Sequence, residues 1–217
     1  MSELREVVVR WQRGWGAARG LPDADDVGGG LRVVCRQPGR EVEYVVLDAS
    51  PASLARLARL VAEEDEVAWL TVPTTDPGAA GAALSGAGLV LLRRSELLMA
   101  VDLEAHPRRA PASGYRLELS GGAVVTATVR NLAGEVGARG TIAVSGADAV
   151  ADRIETFPAH QRRGLGSALM GALASAAVAR GATRGLLVAS EEGQRLYATL
   201  GWRGVADVLI SSAAPSA

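Results

Sequence analysis

Apolar positions along the chain fall into two rhythms. Between residues 164 and 180, Leu165, Leu169 and Leu173 recur four apart on one face, which predicts a helix. Around it, residues 151–157 and 185–189 read as strands, 192–200 as a second helix and 204–210 as a final strand. An earlier stretch follows the same order. It predicts a strand at 43–47, then a helix at 53–64 with Leu54, Leu57, Ala58 and Val61 on one face. A strand at 67–72, a Gly/Ala-rich helix at 78–87 and a long strand region at 89–103 follow. The shared order fits a structural repeat, and equally the alternation common to α/β proteins. Three further runs, 115–119, 123–129 and 141–145, are bounded by Gly-rich turns and predict an antiparallel meander. A meander leading into a strand–helix–strand unit implies an α/β fold with a mixed (α+β) sheet.

The polar, proline-bearing stretch from His106 to Gly114 has no periodicity and reads as a seam. The expected organisation is a first domain over 1–106, a linker over 107–114 and a second domain over 115–217. Residues 1–113 carry 13 Arg against 16 acids, and residues 114–217 carry 10 Arg against 8 acids. The second half is therefore the better host for an anion.

Composition narrows the chemistry. A net charge of −1 over 217 residues argues against a dedicated nucleic-acid binder. No apolar run has the length of a membrane helix, and residues 1–13 mix acids and arginines where a signal peptide has an apolar core. A cytoplasmic protein without a membrane partner is expected. Cys35 is the only cysteine and His106 and His160 the only histidines, so neither a disulfide nor a metal site is expected. All 23 basic residues are Arg. Without lysine, P-loop phosphate binding and pyridoxal chemistry drop out.

The most informative segment runs from Ile154 to Ser167, where a strand ends at Pro158 and a basic, glycine-containing turn opens a helix. The first turn of a helix has unpaired N–H groups and a partial positive charge that suit a phosphate. Gly164 and Gly166 allow close backbone approach, and Arg162 and Arg163 add charge. A dinucleotide fingerprint would need a third glycine and an acid about 20 residues on. Neither is placed that way.

Gln161-Arg162-Arg163-Gly164-Leu165-Gly166 matches Q/R-x-x-G-x-G/A, and Arg195-Leu196-Tyr197-Ala198-Thr199-Leu200-Gly201-Trp202 resembles an L-Y-x-x-x-G-F/W ending. On these two motifs the second half resembles the GNAT acyltransferase superfamily. The resemblance implies acetyl-CoA as co-substrate, with no metal. It implies that Ile154, Glu155 and Thr156 offer backbone groups to the pantetheine arm and that Arg162, Arg163, Gly164, Leu165, Gly166 and Ser167 surround the pyrophosphate. Ser190 falls where many members place a cofactor-holding Asn. Tyr197 falls on the family's general acid, which reprotonates the leaving thiolate. Where some members carry a catalytic Glu this chain has Val150, so Asp152 and Glu155 are the candidate bases. Simple alternation sets them on opposite strand faces, unless a bulge intervenes. His160 reads as a loop residue, and Cys35 as a small buried hydrophobe.

Residues 115–129 leave no room for the helices that usually wall the acceptor site in this family, so the first half is expected to supply that wall. That half resembles a degenerate GNAT half, with Asp48-Ala49-Ser50-Pro51-Ala52-Ser53 where a glycine turn would stand. A tandem form with one CoA site follows. Trp11, Trp15, Trp69, Asp23, Asp25 and Asp26 are candidates for an acceptor pocket, or else core tryptophans and a solvated acidic loop. The reading is direct acetyl transfer to a small-molecule or peptide amine in a ternary complex, with backbone amides near 154–156 polarising the thioester. The alternatives are a non-catalytic acyl-CoA-binding or regulatory module, and a nucleotide binder. Exposed sheet edges leave room for a homodimer.

Overall fold

The computed structural model describes residues 3–92 and 96–214. Its first half contains α1 (Glu3–Arg19), β1 (Asp25–Asp26), β2 (Gly30–Gln37), β3 (Arg40–Val46), α2 (Pro51–Glu63), β4 (Ala68–Thr74), α3 (Pro77–Gly86), β5 (Leu89–Leu91) and β6 (Glu96–Asp102). The second half contains β7 (Tyr115–Gly121), β8 (Val124–Asn131), β9 (Val136–Ser145), β10 (Asp148–Thr156), α4 (Leu165–Val178), β11 (Arg184–Ser190), α5 (Glu191–Thr199) and β12 (Arg203–Ala213). A 3₁₀ turn, Pro158–His160, joins β10 to α4.

Local chemistry accounts for several helix starts. Ser50 and Asp76 cap α2 and α3 by accepting from the backbone N–H groups of Ser53 and Ala79, each with a proline in the first turn. Helix α1 was not expected. Its Val7, Val8, Trp11, Trp15 and Ala18 form a buried stripe at three- and four-residue spacing. The expected strand at 89–103 is two strands; residues 93–95 lie outside the described residues.

All strands join one mixed sheet, in the order β1-β2-β3-β4-β12-β6-β11-β10-β9-β8-β7, with β5 also on β12. The meander β7–β10 is antiparallel, whereas β3/β4 and β10/β11 are parallel pairs each bridged by a helix. Both halves therefore contain a strand–helix–parallel strand–helix–strand unit. Pairing crosses the sequence seam: β6 runs between β11 and β12, and β12 between β4 and β6. Each half is completed by the other's last strand.

The sheet buries both faces. On one, Leu98, Val150, Leu186, Val208 and Ile210 pack under α1. On the other, α4 and α5 cover Met99, Leu187 and Ala189, while α2 and α3 cover Val42, Leu70 and Val72. Among the described residues no helix is long and apolar enough to cross a membrane.

Two features shape the site. The parallel pairing of β10 with β11 covers only Asp148–Val150 against Arg184–Leu186, and beyond it the strands separate. In the same region β10 bulges. Asp152 pairs with Thr141 and Glu155 with Arg139, so Arg153 and Ile154 together oppose Gly140. Arg153 takes φ 52°, and a Cβ on Gly140 would overlap the Ile154 side chain.

Gly14 holds α1 against β10, since a Cβ there would overlap the branched side chain of Val150. Gly14→Ala gains about 1 kcal/mol of helix propensity, but overpacking should outweigh it for a net destabilisation of about 1–3 kcal/mol. Urea unfolding should show this loss, and Gly14→Ala/Val150→Ala should be less destabilised than the two single losses summed. Additive losses would contradict the contact.

Candidate functional site

Where β10 and β11 part, a cleft of about 860 Å³ opens on the α4–α5 face. Ile154 and Thr156 line it from β10, and Gln161, Arg162, Gly164, Leu165, Gly166 and Ser167 from the turn and the start of α4. Ser190, Glu191, Glu192, Gly193, Arg195, Leu196 and Tyr197 close the other side. Gly164 takes φ 72° at the N-cap of α4, and no side chain caps that end. The first-turn N–H groups are thus left for an outside acceptor. By contrast, α5 carries its own cap, since Ser190 Oγ accepts from the Gly193 N–H at 3.4 Å. A Cβ on Gly166 would sit 3.0 Å from Leu196 and 3.5 Å from Thr156 Oγ1. A side chain larger than alanine at this position would press on Leu196 and Thr156.

The turn is braced from outside. His160 is buried, and its Nδ1 lies 2.8 Å from the Tyr115 hydroxyl. Gln161 Nε2 donates to the Thr156 carbonyl at 3.3 Å. Arg163 lies over the Tyr115 ring, 5.9 Å from its centroid, and is not among the cleft-lining residues. The cleft adds to the expected set Gln161, Glu191, Glu192, Gly193, Arg195 and Leu196, which only the folded α4–α5 pair brings together.

A second cavity of about 300 Å³ lies on the α1 side and shares Ile154, Ser190 and Tyr197 with the first. The first half supplies much of its wall: Trp11, Trp15 and Arg19 from α1, Arg40 and Glu43 from β3, Thr71 from β4 and Glu96 from β6. Trp11 and Trp15 are stacked 5.7 Å apart. Of the two readings of the acids near residue 25, the solvated loop fits. Asp25 and Asp26 are exposed on edge strand β1, and Asp23 lines a separate groove beside Gln12.

Asp152 faces this second cavity and is bound by Arg19, with Nε donating to Oδ2 at 2.7 Å and Nη2 to Oδ1 at 3.0 Å. Burial disfavours the Arg19 charge, but the hydrogen bonds and charge of Asp152 outweigh it and hold the guanidinium above its usual range. Glu155 does not sit on the opposite face from Asp152, as simple alternation implies. The bulge adds a residue, so their partners Thr141 and Arg139 are two apart and share a face. Glu155 is nevertheless outside both clefts, exposed, with Arg139 Nε donating to its Oε2 at 3.0 Å. Val150 is buried beneath Gly14.

Tyr197 stands between the two clefts, 7% exposed, with its ring against Trp202. Its hydroxyl makes no hydrogen bond among the described residues. Burial, and then the nearby charge of Asp152, push the phenol well above its usual range, so it stays protonated. Cys35 is buried and lines neither cleft, its thiol pushed up to about 11 by burial and then by Glu43.

The first half has a turn at the matching point of β3–α2, and it is filled from within. Asp48 accepts from the Ser50 N–H at 3.0 Å and from the Ser50 and Ser53 hydroxyls at 2.9 and 2.6 Å. These donors, Ser53 foremost, hold its carboxyl below the usual range. A carboxylate thus already sits at the N-terminus of α2.

Residues 121–204 match the family model of the acetyltransferase (GNAT) domain. The fold resembles that of a GCN5-related N-acetyltransferase from Kribbella flavida, with a TM-score of 0.71 at 15% identity over 100% of this chain and 97% of that one. A putative GNAT-family acetyltransferase from Novosphingobium aromaticivorans superposes with a TM-score of 0.60 at 18% identity, over 95% and 96%. A tandem GNAT protein from the clavulanic acid biosynthesis pathway gives 0.58 at 14% identity, over 89% and 82%. No curated protein matches the sequence.

Arg19→Met should leave the Asp152 carboxylate half-buried without its donors, lowering stability by about 1–3 kcal/mol. Asp152→Asn in the same background should recover part of that loss in a denaturant titration. No change in the single variant would mean that solvent satisfies Asp152 unaided.

Proposed function

We propose that this chain, whose residues 121–204 form a GNAT acetyltransferase domain, moves an acetyl group from acetyl-CoA to an amine. The observation that carries this reading is the joining of two unlike clefts at Tyr197. One offers an uncapped helix N-terminus suited to a pyrophosphate, and the other is charged and aromatic.

In this reading acetyl-CoA enters from the α4–α5 side. Its pyrophosphate takes the N–H groups of the first turn of α4, with Arg162 beside them, and its arm passes Gly166 along Ile154–Thr156. Separated from β11, β10 has backbone groups there that no longer pair across the gap and can hold the arm and the thioester carbonyl. The amine enters from the α1 side and attacks the carbonyl carbon. The new N–C bond forms, the C–S bond breaks, and the thiolate takes the Tyr197 proton. Each Asp152 oxygen keeps a lone pair beyond its Arg19 bond, so the amine proton passes to Asp152 directly or through water. Glu155, outside the cavity and paired with Arg139, is the weaker candidate for that role.

Tyr197→Phe removes the proton donor and little volume. It should lower kcat by about 10²–10⁴-fold while acetyl-CoA binding persists. Because burial raises the Tyr197 pKa, the alkaline limb set by deprotonation of this group should not begin below about pH 10, the ordinary phenol value. A Tyr197→Phe variant that keeps wild-type kcat across the pH range would remove Tyr197 from the role.

Cofactor binding has its own test. At 100 times its Kd, acetyl-CoA should stabilise the protein by about 2.7 kcal/mol, seen as a raised Tm, whereas NADH should do little. Gly164→Trp and Gly166→Val should abolish the effect without unfolding the protein at lower temperature. Acetyl-CoA binding with no product from a broad amine panel would favour a non-catalytic binding module instead.

A further inference from the structure

The second cavity holds more charge than an amine and a thioester require. Three arginines (Arg19, Arg40, Arg153) and three carboxylates (Glu43, Glu96, Asp152) line it. Arg19 and Asp152 satisfy one another. Glu43, 2% exposed, accepts from Thr71 Oγ1 at 2.7 Å.

Arg40 differs from the rest. Its guanidinium lies over the rings of Trp15 and Trp69, at 5.4 and 5.1 Å from their centroids. Two aromatic neighbours hold the planar group in place and shield it from water. Its Nε is ion-paired with Glu43 Oε2 at 3.2 Å, without hydrogen-bond geometry, and its Nη2 is buried with no hydrogen-bond partner. Buried N–H donors are rarely left unmatched in native proteins, and a rigid guanidinium fork fits a planar oxyanion in two-point contact.

Position and size limit that oxyanion. Arg40 comes from the first half, whereas Tyr197 and Ile154 mark where the cavity meets the cofactor cleft. An acceptor must therefore bring its amine to the Tyr197 end and the rest of itself toward Arg40. About 300 Å³ is at the lower end for ligand sites and suits a molecule of amino-acid size. Equal numbers of positive and negative groups match a zwitterion.

Resting on the acetyl-transfer reading, we propose that the acceptor is a small aminocarboxylate, its carboxylate bound by Arg40 and its amine presented at the Tyr197 end of the cavity. The N–C bond forms there, the C–S bond of acetyl-CoA breaks, and the carboxylate takes no part in the chemistry.

The test compares glycine, alanine, glutamate, β-alanine and 4-aminobutyrate, each with its carboxamide. Product formation with acetyl-CoA is followed by mass spectrometry, and binding to the CoA-loaded protein by calorimetry. At least one acid should exceed its carboxamide by about 10–100-fold in kcat/KM, and Arg40→Gln should erase that preference. Because Arg40→Gln leaves Glu43 buried beside a neutral group, Arg40→Gln/Glu43→Gln is measured with it. Thermal stabilisation by acetyl-CoA reports that both variants are folded. Carboxamides used as well as acids, or a preference that survives both variants, would overturn the inference and leave acetyl transfer standing. Arg40-dependent binding of an aminocarboxylate without product in any pair would support the site and overturn the transfer reading. Neither binding nor turnover of any aminocarboxylate would overturn the inference, with acetyl-CoA binding then judging the other reading separately.

Discussion

The architecture turns on the point where β10 stops pairing with β11. Three residues of parallel ladder, Asp148–Val150 with Arg184–Leu186, hold the strands together, and the bulge at Arg153–Ile154 then bends β10 away. In a sheet buried on both faces an unpaired strand end would leave N–H and C=O groups without partners. Here the clefts on either side expose the strand end, so solvent or a ligand can meet those groups. From one side α4 brings an uncapped N-terminus, and from the other α1 brings Trp15 and Arg19. Gly140 makes this possible from a neighbouring strand, because any side chain there would collide with the bulged Ile154.

Strand exchange makes the two halves one machine. Completed by the other's final strand, neither half keeps its native edge alone. The exchange also puts β6, with Glu96, beside the C-terminal end of β11, where Ser190 opens α5. The short β7–β8 hairpin, turning at Gly121 with φ 100°, contains no wall-forming helix, and α1 from the first half occupies that side of the cavity. The asymmetry extends to the two strand–helix turns. At α4 the helix end is left open, whereas at α2 Asp48 places a carboxylate where an incoming phosphate would sit. Like charge at that point, together with the absence of glycines there, opposes an anion at the α2 turn.

What was legible in the sequence was local. The Gln161–Gly166 turn, the helix after it and the Tyr197 motif are read over a few residues, because caps, glycine freedom and helical spacing act over that distance. The bulge was not legible, since it depends on Gly140 opposite, so alternation put Asp152 and Glu155 on different faces where the structure puts them on one. Helix α1 was missed because arginines and glycines interrupt its apolar stripe, although Val8, Trp11 and Trp15 carry the spacing. Arg19 and Asp152, 133 positions apart, meet only through the fold. The same holds for Arg40, Trp15 and Trp69, so the charged lining of the α1-side cavity could not be read from residues near Trp11 and Trp15 in sequence.

This division has a physical consequence for specificity. In the proposed acetyl transfer, the cofactor side rests on backbone groups and glycines in one contiguous segment, whose demands are steric and change little with surrounding side chains. The acceptor side rests on side chains from α1, β3, β4, β6 and β10, anchored in both halves. A substitution in any of these can reshape the cavity without touching the α4 turn, so the proposed reaction could change its acceptor while keeping its acyl donor. The charges are held firmly: Arg19 by Asp152, Glu43 by Thr71, and Arg40 between two indole rings. Groups fixed before a ligand arrives lose little freedom on binding it, and they discriminate by what they leave unpaired when the wrong molecule enters. In the proposed acetyl transfer, a cavity of about 300 Å³ with balanced charge suits a selective acceptor site, in contrast to the larger cleft that meets it at Tyr197.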